Sequence, residues 1–354
     1  MNICHVNLAS GFSGGERQTL QLIKQQLREG YQLTVVANPK SPFVKEIEKT
    51  NCKLILATHF TKQHSSTVTK GYDLIHVHEG RAIYWALIQS LLFKVPYVVT
   101  RRIDNPLKNK WLSKKAYEKA GALVGLSNEI VLQIKKKHPT KLIYKIPSSP
   151  VSYDHQLAEV ATIRQKFENK FIVIQASNLL KHKGHITTLD AALLLLKKKK
   201  NNIQIVILGD GPERESLEKI KKDNSLTNVS FMGKQLSMGN WFKAADLFIH
   251  PSYSEGLGSV ILEAINENLP VVGSNAGGIP DIIDHNESGL LVEKEDAEQL
   301  ANAIISIASD AILKSNLMEG GRKKLAEFSI QKTSQSYKGV YQRLVSSPHT
   351  QKIS

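Results

Sequence analysis

Short apolar runs that do not alternate with polar residues recur along the whole chain, and they restrict what it can fold into more than any other feature. In the first half they read "NICHVNLA", "QLTVVAN", "CKLILAT", "DLIHVHE", "PYVVTRR" and "ALVGLS"; in the second, "KFIVIQAS", "IQIVILGDG", "VSFMG", "DLFIHPS" and "LPVVGSNAG". A strand that is apolar on both sides is covered on both faces, so these runs predict parallel sheets with amphipathic helices between the strands. The expected fold class is α/β, with two Rossmann-like domains in tandem over 1–155 and 156–329. A chain of 354 residues suits two domains of roughly 150 to 200. The prolines and serines of "YKIPSSPVSYDHQLAEV" interrupt the pattern and mark the boundary. The tail reads as helices, the last over about 330–354 with Tyr337, Val340, Tyr341 and Leu344 on one face.

Composition narrows the setting. Apolar content of 41% with 22% charged residues is that of a folded globular chain. Cys4 and Cys52 sit in apolar, strand-like runs, which favours buried thiols over a disulfide or a metal site. The N-terminus shows no basic leader before an apolar core, and runs such as "AALLLL" fall far short of the ~20 residues needed to span a bilayer. The expected location is therefore cytoplasmic. The net charge of +15 is uneven: residues 1–150 hold 23 Lys and Arg against 9 Asp and Glu. Such a field attracts membranes, nucleic acid or phosphorylated substrates, and it serves equally as a solubilising surface.

Ligands of open parallel sheets bind beyond the carboxyl ends of the strands, and the motifs fall there. "SGFSGGERQ", with Gly14 and Gly15, opens the first helix and allows a phosphate to approach the backbone or simply makes a tight turn. "QLTVVANPKS" ends without the acidic residue that NAD binding would need. His76 and His78 of "DLIHVHEG" share a strand face; His78, at the strand end, should face the cleft, and His76 suits a core position. No third ligand accompanies them at metal-binding spacing, so no metal site is expected. Lys183 of "ASNLLKHKGH" precedes a helix N-terminus, where a point charge and free amides suit a diphosphate. "LGDGPERESLEKI" makes a turn at Gly209 before the next helix. In "SEGLGSVILEA", Glu255 stays in the loop while Glu263 lies a turn and a half inside the helix, roughly 8 Å along its axis. The two carboxylates are separate tools.

The E-x7-E pair Glu255 and Glu263, followed by "LPVVGSNAGGIPDII" and "SGLLV", resembles the retaining glycosyltransferases of family 4, which have the GT-B fold. The Gly-Gly loop, His78, Lys183-Gly184 and "GDGP" occur in the family's order, so the resemblance covers nearly the whole chain. It implies two Rossmann-like domains facing across a cleft, the first binding the acceptor and the second the nucleotide sugar, with the last helix crossing back onto the first. It implies that Glu263 accepts from the nucleotide ribose and that Glu255 lies beside the transferred sugar. Lys183 and the amides of Leu257, Gly258 and Ser259 would bind the diphosphate, and Phe231, Met232 and Gly233 would lie near the base. His78 would reach the sugar, and Gly15 the phosphates. One position departs: where the family has an arginine five residues before the lysine, this chain has Asn178. A neutral amide supplies no charge, so a compensating cation or a weaker hold on the donor is expected.

The activity implied is metal-independent transfer, with retention, of a sugar from a UDP-hexose or UDP-N-acetylhexosamine to a saccharide or lipid-linked acceptor in lipopolysaccharide or surface-polysaccharide assembly. No cofactor is expected beyond the nucleotide-sugar co-substrate; no D-x-D occurs that would bridge a metal to the diphosphate. "TRRIDNPLKNKWLSKK" packs Arg101, Arg102, Lys108, Lys110, Lys114 and Lys115 near one strand end, with Trp111 available, as a candidate face for a phosphorylated acceptor or the anionic inner-membrane surface. Two rivals stay open: a GT-B nucleotide-sugar epimerase or phosphorylase, and a basic nucleic-acid-binding protein, for which no module is recognisable.

Overall fold

A computed structural model describes residues 1–103, 107 and 110–346. The chain forms two compact units, Met1–Val151 together with the segment from Phe328 onward, and Ser152–Glu327.

The first unit contains a seven-stranded sheet built from β1 (Asn2–Asn7), β2 (Gln32–Ala37), β3 (Lys53–Leu56), β4 (Leu74–Val77), β5 (Tyr97–Arg101), β6 (Ala122–Gly125) and β7 (Ile143–Lys145). Its order is β3-β2-β1-β4-β5-β6-β7, and every pair is parallel. The second unit holds β8 (Phe171–Ala176), β9 (Ile203–Leu208), β10 (Val229–Gly233), β11 (Leu247–His250), β12 (Val271–Ser274) and β13 (Leu290–Val292) in the order β10-β9-β8-β11-β12-β13, again all parallel. The strand interiors are sealed on both faces, as non-alternating apolar runs require: all six residues of β9 are buried. Each sheet reverses its direction of winding once, between β1 and β4 and between β8 and β11. Such a switch point parts the flanking loops and leaves a crevice at the carboxyl ends.

The helix Ile330–Val345 belongs to the first unit. Tyr337, Val340, Tyr341 and Leu344 are 0 to 7% exposed within the core that also holds Ile3, Leu22 and Val98. Burying side chains of this size contributes about 1.5–3 kcal/mol each. The fit is close enough that a Cβ at Gly121 would overlap Leu344. No helix among the described residues is long and apolar enough to cross a membrane.

Candidate active site

In the second unit the chain leaves β8 through Ser177 and Asn178, makes a 3-10 turn at Lys181–Lys183, and enters the helix His185–Lys197. It leaves β11, the paired neighbour of β8, through Pro251 to Glu255, and Gly258 caps the helix Ser259–Asn266. The two loops are joined by backbone and side chain: Tyr253 N–H donates to the His182 carbonyl at 2.8 Å, and the hydroxyls of Thr187 and Tyr253 are 2.9 Å apart. Lys183 is thereby delivered to Glu255, with Nζ 2.6 Å from Oε2 and side chains 17% and 16% exposed. His250, the last residue of β11, reaches the same oxygen through Nε2 at 2.8 Å. An ionised carboxylate only accepts, so His250 carries a proton on Nε2. Its Nδ1 is buried without a partner among the described residues.

Burial opposes ionisation of Glu255, but the hydrogen bond from His250 and the charges of His250 and Lys183 outweigh it and hold the carboxyl at about 2. A group depressed in the folded state stabilises above its ordinary value and loses that contribution as pH falls toward the folded value. Wild type is therefore expected to melt above Glu255→Gln by a constant margin, about 2 kcal/mol for a pair this covered, down to pH 4.5, with the margin closing toward about 2. Thermal melts of both proteins across that range check this, and a margin that persists at the acid end would contradict it.

The other candidates of this unit lie in the helix Ser259–Asn266 and at the ends of β9 and β10, with Asn178 in the loop after β8. Glu263 is 7% exposed, and the Tyr153 hydroxyl donates to its Oε2 at 2.9 Å. Leu257 is buried, and Ser259 begins the helix, so the amides of 257–259 stand where a helix leaves its first N–H groups unmatched. Gly209 N–H donates to the Gly233 carbonyl at 2.8 Å, tying the ends of β9 and β10, and the Arg214 guanidinium lies 5.7 Å from the Phe231 ring centre. Asn178 is exposed, its carbonyl 3.3 Å from His185 Nε2. A cavity of about 510 Å³ between Leu226 and Phe231 contains neither Lys183, Glu255 nor Glu263 and does not mark this site.

In the first unit Gly14 opens the helix Gly14–Arg28. That helix end already has a carboxylate: Glu16 Oε2 accepts from Ser13 N–H at 2.9 Å and from its hydroxyl at 2.8 Å. A Cβ added to Gly15 would touch Arg102 Cδ at 3.5 Å. His78 lies just past β4 and is 2% exposed. It does not present a free edge: Nε2 is 2.8 Å from His5 Nδ1, and Nδ1 is 3.2 Å from Arg102 Nη2. His76 is held by Tyr341 Oη at 2.6 Å and Thr100 Oγ1 at 2.7 Å. The single basic face expected around Trp111 is divided. Arg101, last in β5, is 9% exposed and donates to Tyr117 Oη at 3.4 Å. Arg102 turns to His78, Trp111 is 78% exposed, and Lys108 lies outside the described residues. Arg101 ends the strand and Arg102 lies just past it, and the two side chains reach different partners.

Sequence reasoning missed His250, Tyr153, His5 and Gln26. His250 ends a strand five residues before Glu255, and the strand-end rule applied to "DLFIHPS" would have found it. His5 is the register partner of His76 on the neighbouring strand. With His76 and His78 it makes a cluster whose ring nitrogens lie within 4.8 Å, which meets the count for a metal that the sequence reading lacked. Each of these nitrogens already has a partner, since His5 Nε2 meets Gln26 Oε1 at 2.8 Å, and a cation would sit against Arg102. Burial, opposed by the bond to Gln26, lowers His5 to about 4; burial, then neighbouring histidines and Arg102, hold His76 and His78 well below their ordinary value. The three rings form a hydrogen-bond network in which burial favours the neutral form of each.

Residues 159–324, which carry Lys183, Glu255 and Glu263, match the family model described as glycosyl transferases group 1. The chain carries a group 1 glycosyltransferase domain. Two curated relatives extend the likeness beyond it: UDP-Gal:alpha-D-GlcNAc-diphosphoundecaprenol alpha-1,3-galactosyltransferase of Escherichia coli, 25% identical and covering 96% of each chain, and N-acetyl-alpha-D-glucosaminyl L-malate synthase of Bacillus anthracis, 26% identical over 76% of this chain and 74% of that protein. The crystal structure of Anabaena Alr3699/HepE in complex with UDP shares the fold, with a TM-score of 0.84 at 19% identity over 97% of this chain and 100% of that one. The two parallel-sheet domains are thus those of the GT-B architecture, and the group 1 domain is the second of them.

Proposed function

We propose that the protein is a retaining family 4 glycosyltransferase that moves a sugar from a UDP-hexose or UDP-N-acetylhexosamine to a saccharide or lipid-linked acceptor in the assembly of a surface polysaccharide or lipopolysaccharide. The observation that carries this reading is the Lys183–Glu255–His250 constellation at the switch point of the second sheet, beside the capped helix end. It supplies what a nucleotide sugar asks for: a cation and oriented amides for the diphosphate, and a carboxylate locked in its ionised form for sugar hydroxyls. The UDP complex of the structural neighbour and the UDP-sugar donor in the Escherichia coli relative's name support the choice of base.

In this reading the sugar C1–O bond to the diphosphate breaks as the acceptor oxygen bonds C1 from the same face, and the acceptor proton passes to the leaving phosphate oxygen. Lys183 takes up the developing charge without a metal, Glu255 meets the sugar, and Glu263 exchanges its bond from Tyr153 for the ribose. The second unit serves the donor and the first the acceptor.

A thermal-shift panel of UDP-, GDP- and ADP-sugars tests this. A UDP-sugar at a hundred times its Kd is expected to stabilise by about 2.7 kcal/mol, and proton NMR of the product made with that donor is expected to show the α anomer. Stabilisation by no member of the panel would sink the donor assignment. Conversion of the donor without an acceptor would favour an epimerase.

A further inference from the structure

Arg102 is a covered cation without an acidic partner among the described residues. Among the described residues its guanidinium meets neutral groups, His78 Nδ1 at 3.2 Å and the hydroxyls of Thr19 and Ser148 at 3.4 Å, and its Nε has no partner there. Among the described residues no carboxylate lies at ion-pair distance from it; Glu16, whose charge it feels, is bonded to Ser13. The desolvation cost of such a charge is met only when an anion arrives.

The contact to His78 gives direction to everything behind it. A guanidinium only donates, so His78 Nδ1 accepts. Neutral imidazole has one N–H, so His78 donates from Nε2 to His5 Nδ1, and His5 from Nε2 to Gln26 Oε1. Gln26 Nε2 donates to Tyr341 Oη at 3.3 Å, and Tyr341 Oη meets His76 Nδ1, whose ring meets Thr100 Oγ1 through Nε2. The opposite order would point an N–H at the guanidinium. The network thus links the C-terminal helix to Arg102, with His78 and His5 each held in one tautomeric state.

We propose that His5 is a positioning residue: by accepting from His78 Nε2–H it holds the tautomer whose Nδ1 takes the Arg102 hydrogen bond, and so aims that guanidinium at a phosphoryl group of the substrate. The inference rests on the transferase reading for its substrate, a donor diphosphate or a phosphorylated acceptor.

The test uses the full chain labelled with ¹⁵N-histidine, together with calorimetric titration of inorganic pyrophosphate and of a hexose phosphate. In wild type the two-bond proton–nitrogen spectrum is expected to show His78 protonated at Nε2 alone. His5→Asn places an amide oxygen where Nδ1 sits and is expected to keep that tautomer and bind within about twofold of wild type. His5→Phe removes the acceptor and is expected to mix the tautomers and weaken anion binding about tenfold, as is Arg102→Gln. A loss confined to pyrophosphate assigns Arg102 to the donor, and one confined to hexose phosphate assigns it to the acceptor; either supports the proposal. His78 protonated at Nδ1 in wild type, or unchanged anion binding in His5→Phe or Arg102→Gln, would overturn it. The spectrum needs no substrate, so a wrong donor assignment leaves the tautomer result standing, and a wrong tautomer leaves the transferase reading intact.

Discussion

Replacing Lys183 with alanine is expected to lower kcat/KM about 10²- to 10³-fold, the usual loss when one preorganised donor to a developing charge is removed. The loss should fall mainly on kcat, because Lys183 is already placed before any substrate arrives: Nζ is 2.6 Å from Glu255 and the side chain is 17% exposed. A charge held ready in a covered site costs no reorganisation when the leaving group departs. Lys183→Arg is expected to recover little, since the planar fork cannot reproduce the point contact that the ammonium makes, beside His250, on Glu255 Oε2. Initial rates at saturating donor check both, and unchanged turnover in Lys183→Ala would end the proposed mechanism.

The largest effect on stability is expected at Gly184→Ala. Gly184 has φ +71, and a Cβ there would overlap the Pro251 carbonyl oxygen. The left-handed conformation alone costs an L-residue about 1 kcal/mol. The overlap adds more, because relieving it means separating the β8 and β11 loops, which Tyr253 and His182 hold together. A total of about 3 kcal/mol is expected, or roughly 10 °C in melting temperature for a unit of this size. Gly30→Ala isolates the first contribution, since Gly30 has φ +82 with nothing within 4 Å of its Cβ position. Calorimetry of both variants decides the matter; equal shifts would mean the loop contact carries no weight. Because Lys183 precedes Gly184, the destabilised variant should also lose its response to a stabilising donor.

How much of this could be read from residues alone depends on the physics involved. The two sheets could, because double-sided burial leaves uninterrupted apolar runs, as in "IQIVILGDG". The buried stripe of the last helix could, because Tyr337, Val340, Tyr341 and Leu344 keep helical spacing. Glu255 and Lys183 stood out because they lie in loops that follow strands, and Glu263 because of its spacing from Glu255 inside the next helix. What stayed hidden was partnership across long sequence separation: Tyr341 meets His76, and Tyr153 meets Glu263, with no local pattern to announce either. The ion pair of Lys183 with Glu255 was hidden for the same reason, since each had been given its own part of the ligand. His5 was passed over because a lone histidine in an apolar strand looks like filling until its register partner is known.

The return of the last helix to the first unit also orders the birth of the molecule. Residues 1–151 leave the ribosome with Tyr337, Val340, Tyr341 and Leu344 still to be translated, so their core stays open and His76 lacks its phenol. The stretch 152–327 is contiguous and needs nothing from beyond itself to close its own sheet. Translation runs from the first unit to the second; completion runs the other way.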